Sequence, residues 1–256
     1  MTEPVTTVTR EAADPRLAGL RRLAIVPTYN EVDAIEAVIA ELRSFDPELE
    51  IVVVDDGSQD GTATRAEKLG VHVVRLPFNV GIGGAMQTGY QYAREHGFQL
   101  AIQVDGDGQH DPGEIAALIE PVISGEADMA VGTRFLGGRR YRPPFARRVG
   151  IQVFARMVSL IIRQRVTDTT SGFRAVNRHG IVLFASDYPH DYPEVETTVL
   201  VHRHRLRMVE VPVAMRTRAT GRSSITLFQS IYYMLKVSLA LFVGLFRRQS
   251  TPMEER

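Results

Sequence analysis

The chain has 256 residues and a mass of 28.5 kDa, with 44% apolar and 23% charged residues. This balance is typical of a globular protein of one domain, with or without an appendage, and excludes general disorder, collagen and a multi-span membrane protein. Because the chain has no cysteine, disulfides, cysteine-ligated zinc, iron–sulfur clusters and thiol nucleophiles are excluded as well.

The net charge of zero conceals a change of sign at mid-chain. Residues 1–133 contain 9 basic and 22 acidic residues, whereas residues 134–222 contain 17 basic and 6 acidic residues. A preference for arginine codons explains why 28 of the 30 basic residues are arginine, but it does not explain the change of sign. A cation-binding half beside an anion-binding half is the functional alternative.

Apolar runs alternate with helical patterns between residues 23 and 133. The runs occupy 23–27, 51–54, 71–76, 100–104 and 128–133. They are continuous rather than alternating, which predicts an α/β fold with a parallel sheet covered by helices on both faces. In such sheets ligands bind beyond the carboxyl ends of the strands. After residue 134 the rhythm breaks, and we expect a basic loop at 137–144, a helix at 145–163 and short strands at 173–176 and 208–213.

Both ends of the chain differ from this core. Residues 1–20 are polar, lack the apolar stretch of a signal peptide and are predicted to form a flexible tail. The segment 225–246 has one charge, Lys236, and Arg247 and Arg248 follow it. A lysine at the centre of a span costs roughly 2.5–3.5 kcal/mol. We therefore expect a helix at 223–248 that lies at the membrane interface or against a membrane partner, with packing on the domain and full spanning as alternatives.

Two carboxylates follow the fourth apolar run. If Gly106 lets the chain bend, Asp105 and Asp107 can both face a divalent cation, with Gln109 beside them. Oxygen ligands suit Mg²⁺ or Mn²⁺, which take their remaining ligands from phosphate. A surface acidic turn is the alternative. A calcium loop of the EF-hand kind lacks its acid at position twelve and its preceding helix.

Another acidic turn, Asp55-Asp56-Gly57-Ser58, follows the second run. It serves either as a turn with a helix cap or as an acceptor for base N–H and ribose hydroxyl groups. The glycines at 81, 83 and 84 resemble a dinucleotide fingerprint only faintly, since they precede the third helix rather than the first.

Taken together, the motifs resemble the family 2 glycosyltransferases of the GT-A fold. The resemblance rests on PTYNE (27–31), DDGSQDGT (55–62), NVGIGGAMQTG (79–89), QVDGDGQHDP (103–112), SGFRAVNR (171–178), EVPV (210–213) and RxxGRSS (218–224). It covers about 200 residues in order, and 21–222 would form the glycosyltransferase domain, with a nucleotide-sugar half at 21–133 and an acceptor half at 134–222. Within the family, the motifs are most similar to those of the dolichol-phosphate mannose synthase branch, which makes polyprenyl-phosphate sugars.

The resemblance implies an inverting transfer from a nucleotide sugar and assigns roles by position. Pro27, Tyr29, Glu31, Gly106 and either Asp55 or Asp56 would bind the nucleotide sugar. The metal and diphosphate would be held by Asp105, Asp107 and Gln109. The acceptor phosphate would be bound by Arg134, Arg174, Arg218 and Arg222. Ser223-Ser224 replaces the usual Ser-Lys of the branch, so the sugar stays open among GDP-mannose, UDP-glucose and UDP-N-acetylhexosamine.

The acceptor decides what catalysis requires. A polyprenyl phosphate is already an anion, so it needs arginine clamps rather than a base, and Asp107 and Arg174 would be catalytic. A saccharide hydroxyl, as in surface-polysaccharide synthesis, would need a carboxylate base, for which Glu194 is a candidate. Glu194 could equally be a first-turn residue of a helix after Pro193.

Further alternatives and partners follow from the same residues. A sugar nucleotidyltransferase also uses a parallel sheet and paired acids, but it would release pyrophosphate. Nucleic acid is not a predicted partner, because the arginine-rich segment lacks interleaved aromatic residues. We expect a peripheral protein at the cytoplasmic face of the membrane, with a small integral membrane protein as a possible partner.

Overall fold

The computed structural model describes residues 14–137 and 145–216. In these ranges seven strands form one sheet, and seven α-helices pack around it. The strands are β1 (Arg22–Thr28), β2 (Glu50–Asp55), β3 (His72–Arg75), β4 (Leu100–Gln103), β5 (Met129–Thr133), β6 (Arg174–Asn177) and β7 (Met208–Pro212). The helices are α1 (Ile35–Phe45), α2 (Thr62–Lys68), α3 (Ile82–Glu95), α4 (Ile115–Ile123), α5 (Phe145–Ile162), α6 (Arg178–Ser186) and α7 (Pro193–Arg203).

The sheet is mixed, with the strand order β3-β2-β1-β4-β6-β5-β7. All neighbours are parallel except β6, which runs antiparallel to both β4 and β5. The mostly parallel α/β sheet of the sequence analysis is therefore confirmed, but β5 does not lie beside β4. In this arrangement Gln103 pairs with Arg174, so the segment that precedes β6 reaches the same edge as the carboxyl end of β4.

Two hydrophobic cores explain why the central strands are apolar throughout. Leu23 and Ile25 of β1 face one core, which α3, α5, α6 and α7 complete. Ala24 and Val26 face the other core, which α1 and α4 complete. A strand that is buried on both faces has no position for a polar side chain, which is why the runs do not alternate.

Several boundaries differ from the sequence predictions. The first helix begins only at Ile35, and the residues between β1 and this helix form a loop at the edge of the sheet. Helix α6 was not predicted, and its N-terminus is capped by the side chain of Asn177, which accepts from the amide of Gly180. Residues 14–20 belong to the folded structure, since Leu17 and Leu20 pack against the core, so the ordered domain begins before residue 21.

Three predictions lie outside the described residues: the first part of the tail, most of the basic loop at 137–144, and the helix at 223–248. Arg218, Arg222 and the Ser223-Ser224 departure lie there too. Among the helices that the structure describes, none is long and apolar enough to cross a membrane.

Candidate active site

A cleft of about 370 Å³ lies where the carboxyl ends of β1, β2 and β4 meet, at the edge that a doubly wound sheet uses for ligands. The first turns of α3 and α7 complete its wall. Segments far apart in the sequence line it: Pro27, Thr28, Tyr29, Glu31, Asp56, Asn79, Gly81, Ile82, Ala85, Asp105, Gly106, Asp107 and Glu194.

One wall is the loop after β1, which is locked to the loop after β2. Asn30 has a left-handed backbone (φ 56°), and its amide N–H donates to Ser58 Oγ at 2.9 Å. Its side-chain oxygen accepts from the amide of Gln59 at 2.9 Å, and the amide of Glu31 donates to Thr62 Oγ1 at 3.0 Å. The motifs PTYNE and DDGSQDGT thus fold as one unit, which leaves Tyr29 half exposed at the mouth of the cleft.

The neighbouring aspartates after β2 differ in their contacts. Asp56 accepts from the amides of Val80 and Gly81 at 2.7 and 2.9 Å, so it fixes the turn that begins α3 while lining the cleft. Asp55 lies beneath it and is buried. Its Oδ2 accepts from the amide of Ser58 at 3.3 Å, whereas its buried Oδ1 has no hydrogen-bond partner among the described residues. Asp56 is thus the member of this pair that reaches the cleft.

The loop after β4 brings Asp105 and Asp107 to the cleft. The sequence analysis expected Gly106 to let the chain bend, but its φ is not positive. Instead, its backbone lies against β1, where an added Cβ would come within 2.6 Å of Thr28 Cγ2 and 3.1 Å of the carbonyl oxygen of Pro27. Glycine is required here because no side chain fits between the acidic loop and the central strand.

Neighbouring side chains hold both carboxylates. The backbone amide and the side-chain amide of Gln109 donate to Asp107 at 3.0 and 2.8 Å, so Gln109 orients Asp107 and does not itself line the cleft. Asp105 is contacted by Gln103 and His110, to which the sequence analysis assigned no role. His110 lies inside the quoted motif QVDGDGQHDP, which was the available signal.

Glu194 lies opposite these aspartates, in the first turn of α7, and lines the cleft. The two interpretations of this residue are therefore compatible, since it is both a first-turn residue and a cleft residue. Burial raises the pKa of its carboxyl, the guanidinium of Arg174 opposes this rise, and the carboxylate of Asp105 adds to it. The pKa of Glu194 thus lies above its ordinary value, and burial is the main cause.

Arg174 is almost completely buried and does not line the cleft. Its guanidinium donates to the carbonyl oxygens of Ser171 and Glu194 and to the hydroxyl of Thr197. These contacts join the segment before β6 to the start of α7. The structure therefore places Arg174 behind the wall of the cleft, where its guanidinium holds these segments together.

Arg134 is also buried. It forms a bidentate ion pair with Asp168, with Nε–Oδ2 and Nη2–Oδ1 distances of 2.7 and 2.8 Å, and it donates to Thr170. Glu210 of β7 accepts from the amides of Thr167 and Asp168, which fixes the same segment from the other side. Arg134 therefore stabilises the segment before β6, and the structure does not present it to the cleft as an acceptor-phosphate contact.

The predicted site residues fall into three groups. Those that meet in the cleft are Pro27, Tyr29, Glu31, Asp56, Asp105, Gly106, Asp107 and Glu194. Those that lie beside or beneath it are Asp55, Gln109, Arg134 and Arg174. Arg218 and Arg222 are outside the described residues. Just before them, the chain contacts the acidic loop, because the amide of Arg216 donates to the carbonyl of Gln109 at 2.9 Å.

Comparison with known proteins identifies the family. The sequence model of Glycosyl transferase family 2 matches residues 23–181, which is more than half of the chain. The chain belongs to glycosyl transferase family 2. It is therefore a glycosyltransferase, which decides against the sugar nucleotidyltransferase among the alternatives.

Two curated relatives of this family 2 glycosyltransferase match most of its length. An undecaprenyl-phosphate mannosyltransferase of Micrococcus luteus is 32% identical over 216 residues, covering 81% of this chain and 88% of the relative. A polyprenol monophosphomannose synthase of Mycolicibacterium smegmatis is 31% identical over 216 residues, covering 80% and 81%. These similarities extend beyond the span of the family model.

A solved structure shares the fold. The glucosyl-3-phosphoglycerate synthase of Mycobacterium tuberculosis, solved with Mn²⁺ and uridine diphosphate, superposes with a TM-score of 0.71. The similarity covers 95% of this chain and 86% of that one, at 21% identity. The GT-A-like architecture predicted from the sequence is thereby confirmed.

Proposed function

We propose that this family 2 glycosyltransferase transfers a hexosyl group from a nucleotide sugar to a polyprenyl phosphate, with inversion at the anomeric carbon. The observation that carries the proposal is the similarity, over about four fifths of each chain, to two enzymes named for that class of acceptor. Both are also named for mannose, which favours GDP-mannose among the possible donors. The geometry of the cleft supports the reaction class independently.

The donor would occupy the cleft with its diphosphate near Asp105 and Asp107. Among the residues that the structure describes, no three histidine, aspartate or glutamate side chains come together to form a complete metal site. Two carboxylates at a cleft fit a hard cation that takes its remaining ligands from diphosphate and water. Asp105 and Asp107 would therefore hold Mg²⁺ or Mn²⁺, and the cation would neutralise the leaving diphosphate.

The nucleoside would lie along the wall formed by the loops after β1 and β2. Pro27, Tyr29 and Glu31 line this wall, and Asp56 faces the same space. Asp55 would act from beneath this wall, by accepting from the amide of Ser58 and so fixing the loop. Carboxylate acceptors suit the N–H groups of a base and the hydroxyls of a ribose.

The acceptor phosphate would be bound by arginines that follow the described part of the chain. Arg218 and Arg222 come two and six residues after Arg216, whose amide is tied to the acidic loop at Gln109. Arginine binds phosphate through two parallel N–H groups, and an anionic acceptor needs no base. Arg134 and Arg174 would contribute indirectly, by fixing the segment before β6 and the start of α7.

The lipid acceptor implies work at a membrane surface. We propose that 223–248 holds the domain at the cytoplasmic face, because a helix with apolar residues and flanking arginines binds at the interface. The division at residue 222 between the catalytic domain and the segment 223–248 is part of this proposal. A small integral membrane protein as a partner stays a prediction.

A saccharide hydroxyl is the second candidate acceptor, and the position of Glu194 favours it. A carboxyl with a raised pKa that lines the cleft is suited to accept a proton from an attacking hydroxyl. The two candidates differ in what they require of Glu194. With a phosphate acceptor Glu194→Gln should keep most of its turnover, whereas with a hydroxyl acceptor it should lose about 100-fold or more.

The deciding experiment supplies the full chain with Mn²⁺ and each of GDP-mannose, UDP-glucose and UDP-N-acetylhexosamine, with polyprenyl phosphate in detergent. Nucleoside diphosphate release and the mass of the lipid product are measured. A polyprenyl-phosphate hexose that depends on Mn²⁺ supports the proposal. Transfer to a soluble saccharide only, with loss in Glu194→Gln, would establish the second candidate instead.

A further inference from the structure

His110 has an unusual position for a histidine that was assigned no role. It lies in the loop after β4, three residues beyond Asp107, and only 5% of its surface is exposed. Its ring stacks on that of the buried Phe173, with centroids 4.6 Å apart and planes inclined by 19°. Its backbone forms an isolated antiparallel bridge with Met215. Packing on one side and the bridge on the other therefore fix the orientation of the ring.

Both ring nitrogens of His110 point to one residue, Asp105. Nδ1 lies 3.0 Å from the amide nitrogen of Asp105 and accepts a hydrogen bond from this N–H group. In the neutral ring the remaining proton is then on Nε2, which lies 3.5 Å from Asp105 Oδ2. A single rigid side chain thus contacts both the backbone and the carboxylate of Asp105, which determines where the carboxylate points.

Two further contacts restrict the same carboxylate. The side-chain amide of Gln103 donates to Asp105 Oδ1 at 3.2 Å. Gly172 lies so close that an added Cβ would come within 3.1 and 3.2 Å of the two carboxylate oxygens. Each oxygen of Asp105 therefore has one polar neighbour from this chain, while the side chain stays 36% exposed.

We propose that His110 is a positioning residue for Asp105, which holds the carboxylate in the orientation needed to bind a divalent cation with a nucleoside diphosphate. The inference rests on the proposed function in its use of Asp105 as a metal ligand. Hydrogen bonds to ligating carboxylates typically change metal affinity by about 10- to 100-fold. The contribution of His110 should therefore appear in metal binding and not only in turnover.

The test compares two substitutions that separate packing from hydrogen bonding. His110→Phe keeps an aromatic ring on Phe173 but has no nitrogen, whereas His110→Asn can present an amide oxygen where Nδ1 accepts from Asp105. Binding of Mn²⁺ with GDP, and separately with UDP, is measured by calorimetry on the full chain without acceptor. Thermal unfolding is measured without metal. His202→Phe is the matched control, because His202 is exposed and lines a separate groove with Met208.

The expected result is that His110→Phe weakens Mn²⁺ affinity about 10- to 100-fold, and that His110→Asn recovers part of this loss. The KM for the lipid acceptor should stay within about twofold of the wild-type value, and His202→Phe should bind Mn²⁺ as the wild type does. Mn²⁺ affinity within twofold of the wild type in His110→Phe would overturn the proposal. So would equal losses in both variants.

A second variant covers the case in which His110→Phe does not fold. Gln103→Leu removes the other side-chain contact to Asp105, and its loss of Mn²⁺ affinity should exceed that of His202→Phe. In that case, wild-type Mn²⁺ affinity in either Gln103→Leu or His110→Asn would reject the proposal. The outcome is separate from that of the proposed function. A wild-type chain that binds Mn²⁺ with GDP or UDP but makes no polyprenyl-phosphate sugar would refute the acceptor and leave the role of His110 intact.

Discussion

Replacing Gly106 with alanine tests how the acidic loop is placed against the sheet. The added Cβ would lie 2.6 Å from Thr28 Cγ2 and 3.1 Å from the carbonyl oxygen of Pro27. Carbon atoms in contact are normally about 3.5–4.0 Å apart, so a shift of roughly 1 Å is needed. The question is which side moves.

The strand cannot provide this movement. Thr28 is buried, pairs with Asp55 of β2, and its hydroxyl donates to the carbonyl of Val54. The acidic loop must therefore move, and it takes Asp105 and Asp107 with it. Overpacking of this kind costs about 1–3 kcal/mol of stability. A displacement of about 1 Å at reacting groups costs on the order of 100-fold in rate.

Three measurements check this expectation for Gly106→Ala. Urea unfolding without metal should show a loss of about 1–3 kcal/mol, binding of Mn²⁺ with GDP should weaken, and kcat should fall on the order of 100-fold. The double variant Thr28→Ser/Gly106→Ala should recover much of each loss, because serine lacks Cγ2. Gly113→Ala is the control, since its Cβ would meet only the partly exposed carboxylate of Asp111, at 3.3 Å.

The result that refutes the reasoning is specific. If Gly106→Ala keeps wild-type stability and Mn²⁺ affinity, the acidic loop accommodates the added methyl group without moving Asp105 and Asp107, and the reasoning is wrong. If it loses both but Thr28→Ser/Gly106→Ala recovers nothing, the contact with Thr28 Cγ2 is not the cause.

Three further substitutions test other parts of the structure. Asp107→Asn should lose nearly all turnover while its thermal unfolding stays within a few degrees of the wild type; nucleoside diphosphate release measures the first, and retained turnover would remove the metal assignment. Asp168→Asn leaves the buried guanidinium of Arg134 without its carboxylate, so urea unfolding should show a loss of about 3–5 kcal/mol, and a loss below about 1 kcal/mol would contradict the ion pair's importance. Asp128 has a pKa of about 2 against an ordinary 3.8: burial alone would raise it, but hydrogen bonds from the amide and guanidinium of Arg207 and from Asn177 lower it. A carboxyl whose pKa is lower in the folded state stabilises the fold at pH values above its pKa in the unfolded chain, and this stabilisation is lost as the pH falls towards 2. The free energy of unfolding, measured with urea, should therefore fall by about 2 kcal/mol between pH 4 and 2 in the wild type. Asp128→Asn should not show this fall.

The pattern of apolar runs was sufficient to predict the first half of the fold. The apolar runs that became β1, β2 and β4 are buried on both faces, and the acidic turns after them meet because parallel strands end at one edge. The insertion of β6 between β4 and β5 was not predictable in this way. Its four residues carry no signal of strand direction, which depends on the path of the chain through α5.

The candidate site likewise contains some residues that the sequence could place and others that it could not. Asp105, Asp107 and Tyr29 could be placed in the cleft because each lies in the loop that follows a strand of the parallel part of the sheet. Arg134 could not be placed, because its partner Asp168 lies 34 residues away and the ion pair buries both. The sequence shows that an arginine is charged, but it does not show whether a carboxylate elsewhere in the chain forms an ion pair with it. The number of arginines in the sequence therefore overestimated the number that can bind the acceptor phosphate.

The short antiparallel bridge between His110 and Met215 limits how far this enzyme can be truncated at its C-terminal end. The family model stops at residue 181, yet β7 and the residues just after it complete the sheet and brace the acidic loop. A fragment that terminates after Pro212 would keep all seven strands of the described residues but lose the bridge and the ion pair of Arg216 with Asp111. The smallest fragment that keeps the acidic loop in place should therefore extend through Arg216, and in shorter expression fragments this loop should be less well ordered.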